Sequence, residues 1–146
     1  MSQLTIVFTA YTLDGENPPT KGSASGFPIR RKGGRIGVVI TNDNPKNKKW
    51  AAVVGWKAKE NRASDSPWAG PVQLSLVFGM KRPKKMPKGR ELPTVKPDLD
   101  KMVRSVKDAM TKILYVDDAQ IVALAASKEY SEKPGVTIEL TKLTGG

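Results

Sequence analysis

Val72-Gln73-Leu74-Ser75-Leu76-Val77-Phe78-Gly79-Met80 is the stretch on which the fold turns. Val72, Leu74, Leu76 and Phe78 alternate with Gln73, Ser75, Val77 and Gly79, which predicts a strand with one face in a core. The period then changes. From Asp98 or Asp100 to about Thr111, Met102, Val106, Ala109 and Met110 fall on one side of a helix, and Ile113 continues that side. Ile121 to Tyr130 reads as a strand again. A strand, a helix and a strand therefore occupy residues 72–130.

Working outward, Val136, Ile138 and Leu140 alternate with Thr137, Glu139 and Thr141 in a last strand from Val136 to Lys142, reached through Glu132-Lys133-Pro134-Gly135. Upstream, Leu4–Ala10 and Arg35–Thr41 read as strands. Residues 11–35 between them contain Pro18-Pro19 and five glycines, and read as a long loop or a loose hairpin. Asn44-Pro45 suits a helix start, with Asn as cap and Pro at the first helical position. That helix should run from about 45 to 63, with Trp50, Val53, Val54 and Ala58 as its apolar stripe and Trp56 off it. The order β-β-α-β-α-β-β predicts an α+β fold: a mixed or antiparallel sheet of about five strands, two helices against one face, and a single domain over residues 1–146.

The 146 residues carry a net charge of +11, with 38% hydrophobic residues. Residues 1–97 hold 18 Lys/Arg against 6 Asp/Glu, whereas residues 98–146 hold 7 against 8. The basic part points to a polyanion, with nucleic acid ahead of an anionic membrane surface. No apolar run approaches the roughly 18–20 residues that span a bilayer. Met1 to Ala10 lacks the basic start and cleavage-like residues of a secretory signal. There is no cysteine and no histidine. This excludes Cys/His zinc sites, a Ser-His-Asp triad, a cysteine nucleophile and disulfides. Carboxylates without histidine favour Mg²⁺ or Mn²⁺ as a metal partner.

The acidic residues are concentrated. Asp98, Asp100, Asp108, Asp117 and Asp118 are five of the fourteen, within 21 positions. If Asp98 to Asp100 is extended, its period of two sends both carboxylates to one side, and the partial positive charge of the following helix start favours them. Two close carboxylates repel unless a cation sits between them. Asp117 and Asp118 lie past the far end of the helix, and reach the first pair only by chain reversal or from a dimer partner. Blander roles exist. Asp100 can cap a helix, Asp117-Asp118 can form a turn, and Asp108 can pair with Lys112 on a helix surface. The stretch Lys81-Arg82-Pro83-Lys84-Lys85-Met86-Pro87-Lys88-Gly89-Arg90 reads as a Pro-stiffened basic loop suited to a nucleic-acid backbone. Lys46, Lys48, Lys49, Lys57 and Lys59 give the first helix a positive face, suited equally to water or to phosphate.

Lys96-Pro97-Asp98-Leu99-Asp100-Lys101, then Asp108-Ala109-Met110-Thr111, then Tyr115-Val116-Asp117-Asp118-Ala119-Gln120-Ile121-Val122 resemble, in order and spacing, the RusA family of Holliday-junction resolvases. Lys128-Glu129-Tyr130 with Pro134 to Ile138 adds to the likeness, and Pro19-Thr20-Lys21-Gly22 and Asn47-Lys48-Lys49-Trp50 extend it more loosely. The resemblance implies a small homodimeric nuclease of the bacterial cytoplasm that binds four-way DNA junctions. It would make paired symmetric nicks with Mg²⁺ (or Mn²⁺), leaving 5′-phosphate and 3′-hydroxyl ends in DNA recombination and repair. The family's essential aspartates fall on Asp98, Asp100 and Asp118, with Asp117 as a helper to the metal. Where the family has a catalytic lysine, this chain has Arg104, which keeps the charge but does not readily give up a proton. Arg30, Arg31, Lys84, Lys85, Lys88, Arg90, Lys101 and Lys128 are the expected DNA contacts. Two alternatives compete: a nuclease for flaps or forks, and a basic nucleic-acid-binding protein without catalysis.

Overall fold

A computed structural model describes residues 4–21, 25–30, 33–34, 36–41 and 45–143. Its elements in chain order are β1 (Leu4–Tyr11), β2 (Ser25–Arg30), β3 (Ile36–Thr41), α1 (Pro45–Asn61), β4 (Val72–Lys81), α2 (Leu99–Met110), β5 (Ile121–Ser131) and β6 (Gly135–Lys142). One 3₁₀ turn, Asp118–Gln120, leads into β5.

β4 has the predicted alternation, with Val72, Leu74, Leu76, Phe78 and Met80 buried. It is an inner strand of a four-stranded sheet of order β1-β6-β4-β5. β4 pairs antiparallel with β6 and parallel with β5, and β6 pairs antiparallel with β1. The sheet is thus mixed, as expected, but it has four strands rather than about five. β3, which the sequence pattern counts toward the sheet, pairs instead with β2 in a separate antiparallel hairpin. β2 lies within residues 11–35, so of the two readings offered for that stretch, long loop or loose hairpin, part of it is hairpin strand.

A parallel β4–β5 pair needs a crossover, and α2 supplies it. Ile6, Phe8, Leu76, Phe78, Ile138 and Leu140 from the sheet, Trp50, Val54 and Ala58 from α1, and Met102, Val106 and Met110 from α2 belong to one buried core. Trp56, off the apolar stripe, is exposed. The helices approach closely at Gly55, where an added Cβ would lie 3.3 Å from Ile113 Cδ1. The buried Ser105 hydroxyl of α2 donates to Asn47 Oδ1 of α1, so this buried polar side chain has a partner. The predicted cap Asn44 lies outside the described residues.

β5 is an edge strand with an apolar composition. Val122 and Leu124 remain 64% and 49% exposed, and Val116 just before it 54%. An exposed apolar edge is an open template for another strand.

Candidate active site

α2 begins at the first aspartates. Asp98 is the N-cap, extended at φ −70° and ψ 136°, but its side chain makes no capping hydrogen bond. The usual reason for Asp at a helix start is therefore missing here. The carboxylate is exposed, with Lys101 Nζ 3.6 Å from Oδ2. Helix begins at Leu99, so Asp100 is a first-turn residue and not the end of an extended alternation. The period-of-two placement expected for the pair is thereby corrected: the chain changes geometry between them. Asp100 and Arg104 are both exposed and sit four apart on α2, hence on one helix face. The partial positive charge of the helix start acts on both carboxylates and on any anion brought to them.

The approach to Asp98 is held from below. The Lys96–Pro97 peptide is cis. Lys128 of β5 donates through Nζ to the carbonyls of Val95 at 2.7 Å and Pro97 at 3.0 Å. Thr20, Lys96, Pro97, Asp98 and Lys101 line an open hollow of about 380 Å³ beside the first carboxylate. Lys21 N–H donates to the Lys101 carbonyl at 3.1 Å, which ties the early loop to α2.

The second pair of aspartates has a different local structure. Asp117 caps the 3₁₀ turn, its Oδ1 accepting from Ala119 N–H at 2.9 Å. Gln120 completes a capping box: its Oε1 accepts from the N–H groups of Val116 and Asp117, each at 2.8 Å. Its Nε2 donates to the carbonyls of Trp68 and Gly70, each at 2.8 Å. Asp117 is thus engaged in holding the turn. Asp118 is half-buried, with only the distant Lys107 Nζ at 3.9 Å from Oδ2. Tyr115 beneath is fully buried and donates its hydroxyl to the Lys107 carbonyl at 2.7 Å, and burial raises its phenol above the ordinary range.

One chain does not bring the two pairs together. The twelve residues of α2 make a helix of about 18 Å. β5 returns from the Asp118 end to Lys128 beneath Asp98, and seven strand steps cover roughly 23 Å. Among the described residues no three carboxylates gather as a metal-binding group. Asp108 stands apart from both pairs. It bonds Lys21 Nζ at 2.9 Å, and not Lys112, which lies beyond the helix with φ +70°.

The expected DNA contacts are placed unevenly. Lys84, Lys85 and Lys88 are exposed and Arg90 half-buried in the loop after β4. Lys101 is exposed beside Asp98, whereas Lys128 is committed to two carbonyls. Arg30 is described only as backbone of β2, and its side chain, with Arg31, lies outside the described residues. Sequence reasoning missed the positioning role of two residues, Gln120 and Lys128, the latter read as a DNA contact. Gln120 carried a usable signal, the D-x-x-Q capping box of Asp117-Asp118-Ala119-Gln120. Lys128 carried only a weak one, a lone cation after an apolar run in the strand.

Comparison with known proteins identifies the family. The family described as endodeoxyribonuclease RusA matches residues 24–141, which include both aspartate pairs, Arg104, Gln120 and Lys128. An uncharacterised protein, YqaN of Bacillus subtilis (strain 168), is 34% identical over 120 residues, covering 75% of this chain and 84% of its own. The crossover junction endodeoxyribonuclease rusA of Lactococcus phage r1t is 38% identical over 76 residues, covering 50% of this chain and 56% of the phage protein. With the family match covering most of its length, the chain belongs to the RusA family of endodeoxyribonucleases.

Proposed function

We propose that this protein is a Mg²⁺-dependent endonuclease that resolves four-way DNA junctions by paired nicks, acting as a homodimer of single-domain chains in the cytoplasm. The observation that carries the reading is Asp98: an exposed helix-cap carboxylate that caps nothing, next to Asp100, at the positive end of α2 and beside a basic loop. Family membership and the likeness to the phage enzyme support the same chemistry.

The donor set fits the metal. Mg²⁺ takes one or two protein carboxylates and keeps water and phosphate oxygens for its remaining positions. Asp98 and Asp100 supply two, with Asp118 as a third from elsewhere. When bound, the metal lowers the pKa of a coordinated water and offsets charge on the phosphate. The protein's own residues do the rest. Lys84, Lys85, Lys88 and Lys101 hold the backbone by charge, without reading bases. Arg104, fixed in its charge, stabilises the negative charge that develops on the phosphate and moves no proton. The products carry 5′-phosphate and 3′-hydroxyl ends.

The separation of the carboxylate pairs supports the homodimer. β5 starts next to Asp118 and ends beside the anchor of Asp98. An antiparallel β5–β5 ladder about a two-fold axis would lay the Asp118 end of one chain against the Asp98 end of its partner, and would cover Val122 and Leu124.

Mixing two inactive variants tests this. Asp98→Asn and Asp118→Asn chains, each silent alone, should regain nicking when their subunits exchange. Statistical pairing gives about a quarter of wild-type sites, since each mixed dimer holds one intact composite site. A mixture as silent as its parents, in a protein shown to be dimeric, would mean that each site is built within one chain.

A further inference from the structure

The loop after β4 and the end of β5 line a second, partly open hollow of about 350 Å³ that shares Lys96 with the one beside Asp98. Arg82, Lys84, Arg90 and Lys96 line it, and among the described residues none of the four forms an ion pair. Lys81, also on its rim, is already neutralised by Glu16 at 2.8 Å. No acidic side chain lines the hollow. Four uncompensated cations around one cavity raise the local potential and select an anion. Tyr130 forms part of the wall, and its hydroxyl is closed off from solvent with no hydrogen-bond partner. A buried hydroxyl without a partner costs free energy, which an arriving acceptor recovers.

The location matters as much as the charge. Val95 and Lys96 form one wall, and the Val95 carbonyl is held by Lys128, two residues before Tyr130 on β5. Lys96 lies two residues before Asp98. Two residues of chain reach at most roughly 7 Å, and successive phosphates of one strand advance about 3.4 Å along a duplex axis. An anion seated here is therefore one or two nucleotides from a phosphate at Asp98.

Resting on the nuclease reading above, we propose that this hollow is the seat of one DNA backbone phosphate, held by Arg82, Lys84, Arg90 and Lys96 over the Tyr130 hydroxyl. The side chains above Tyr130 shift to admit it. The seat fixes the register of the DNA backbone against Asp98 by shape and charge, a contact that itself carries no base information.

The test uses four-way junctions in which single phosphates near the nick are replaced by neutral methylphosphonates. Replacing one phosphate, one or two nucleotides from the nick, should slow wild-type nicking about tenfold, the value of one charge-assisted hydrogen bond. The same replacement should cost Arg90→Gln and Tyr130→Phe little more, because their contact is already gone. Tyr130→Phe removes an unpartnered hydroxyl, so it should fold at least as stably as wild type, which separates function from folding. No sensitive position within two nucleotides, or variant and methylphosphonate effects that multiply, would overturn the proposal. Affinity in EDTA is read on the same DNA set. A position whose neutralisation weakens binding by wild type but not by Arg90→Gln marks the seat even in a protein that cuts nothing, an outcome that would sink the nuclease reading alone. Thermal stabilisation by inorganic phosphate that Arg90→Gln abolishes, with indifference to every methylphosphonate, would assign the seat to a free phosphate and overturn the DNA reading.

Discussion

Lys128→Met separates two roles for a residue that sequence alone reads as a DNA contact. Methionine keeps much of the unbranched stem that packs on β5 but removes both donations, to Val95 O at 2.7 Å and Pro97 O at 3.0 Å. Hydrogen bonds involving a charged group contribute about 1.5–3 kcal/mol each when well sheltered. Lys128 is only half-buried, so water replaces part of the loss, and about 2 kcal/mol in total is expected. At this chain length that corresponds to a melting temperature lower by roughly 4–8 °C. The larger effect falls on catalysis. Residues 95–97 lose their tether, and a displacement of about 1 Å at a reacting group costs on the order of 10²-fold in rate. The assay is single-turnover nicking of a junction at saturating protein, beside junction affinity over a salt series. Nicking should fall about a hundredfold while the salt slope stays unchanged. The reasoning is refuted if bound junction is nicked at the wild-type rate while the salt slope drops by about one, the signature of a lost phosphate contact.

Three further outcomes follow from named contacts. Gln120→Ala leaves two N–H groups and two carbonyls without their side-chain partner, so unfolding should be easier by about 2–3 kcal/mol in urea. Nicking should fall with it, and an unchanged transition midpoint would show the box to be dispensable. Gly135→Ala forces a Cβ to within 2.9 Å of Tyr11 Cα, so β1 must move off β6. A loss of at least about 2 kcal/mol is expected by calorimetry, and an unchanged melting temperature would contradict the tight approach. Asp100→Asn should abolish cleavage while junction binding in a gel shift stays equal or tightens, because one anion near the phosphates is gone. Joint loss of both activities would reassign Asp100 to folding.

Much of the fold was legible because it rests on local periodicity. β1, β4 and β6 alternate cleanly, and α1 and α2 each carry one apolar stripe, so a residue's neighbours reveal its buried face. β2 was not legible: Ser25-Gly26-Phe27-Pro28-Ile29-Arg30 has no alternation and contains both Gly and Pro, the residues that ordinarily demote a strand. The sheet to which β3 belongs is a tertiary choice that its own six residues do not encode. For the site, the aspartates and their distance along the chain were visible, but helix length left open whether chain reversal or a dimer partner would bring the pairs together. The division of labour within each pair was hidden. Asp100, readable as a cap, sits in the first turn while Asp98 takes the cap position without a side-chain bond, and Asp117, readable as a helper to the metal or as part of a turn, holds the turn. Lys128 shows the limit most plainly, because charge along a sequence reveals a cation but not whether a protein carbonyl has already claimed it.

β5 has consequences for how the protein opens. It is paired on one side only, with β4, as β1 is with β6, so it is one of two strands of the sheet that can be released without breaking a second ladder. Both aspartate pairs depend on it: the turn that holds Asp118 leads into it, and the Val95–Pro97 approach to Asp98 is tethered to Lys128 within it. Partial opening at this edge dismantles both ends of the site while β1, β6 and β4 stay paired. Backbone amides of β5 should exchange with solvent ahead of those of β4, and activity should disappear in mild urea before the spectroscopic unfolding transition begins. The working lifetime of the site is then set by an edge strand and not by the stability of the core.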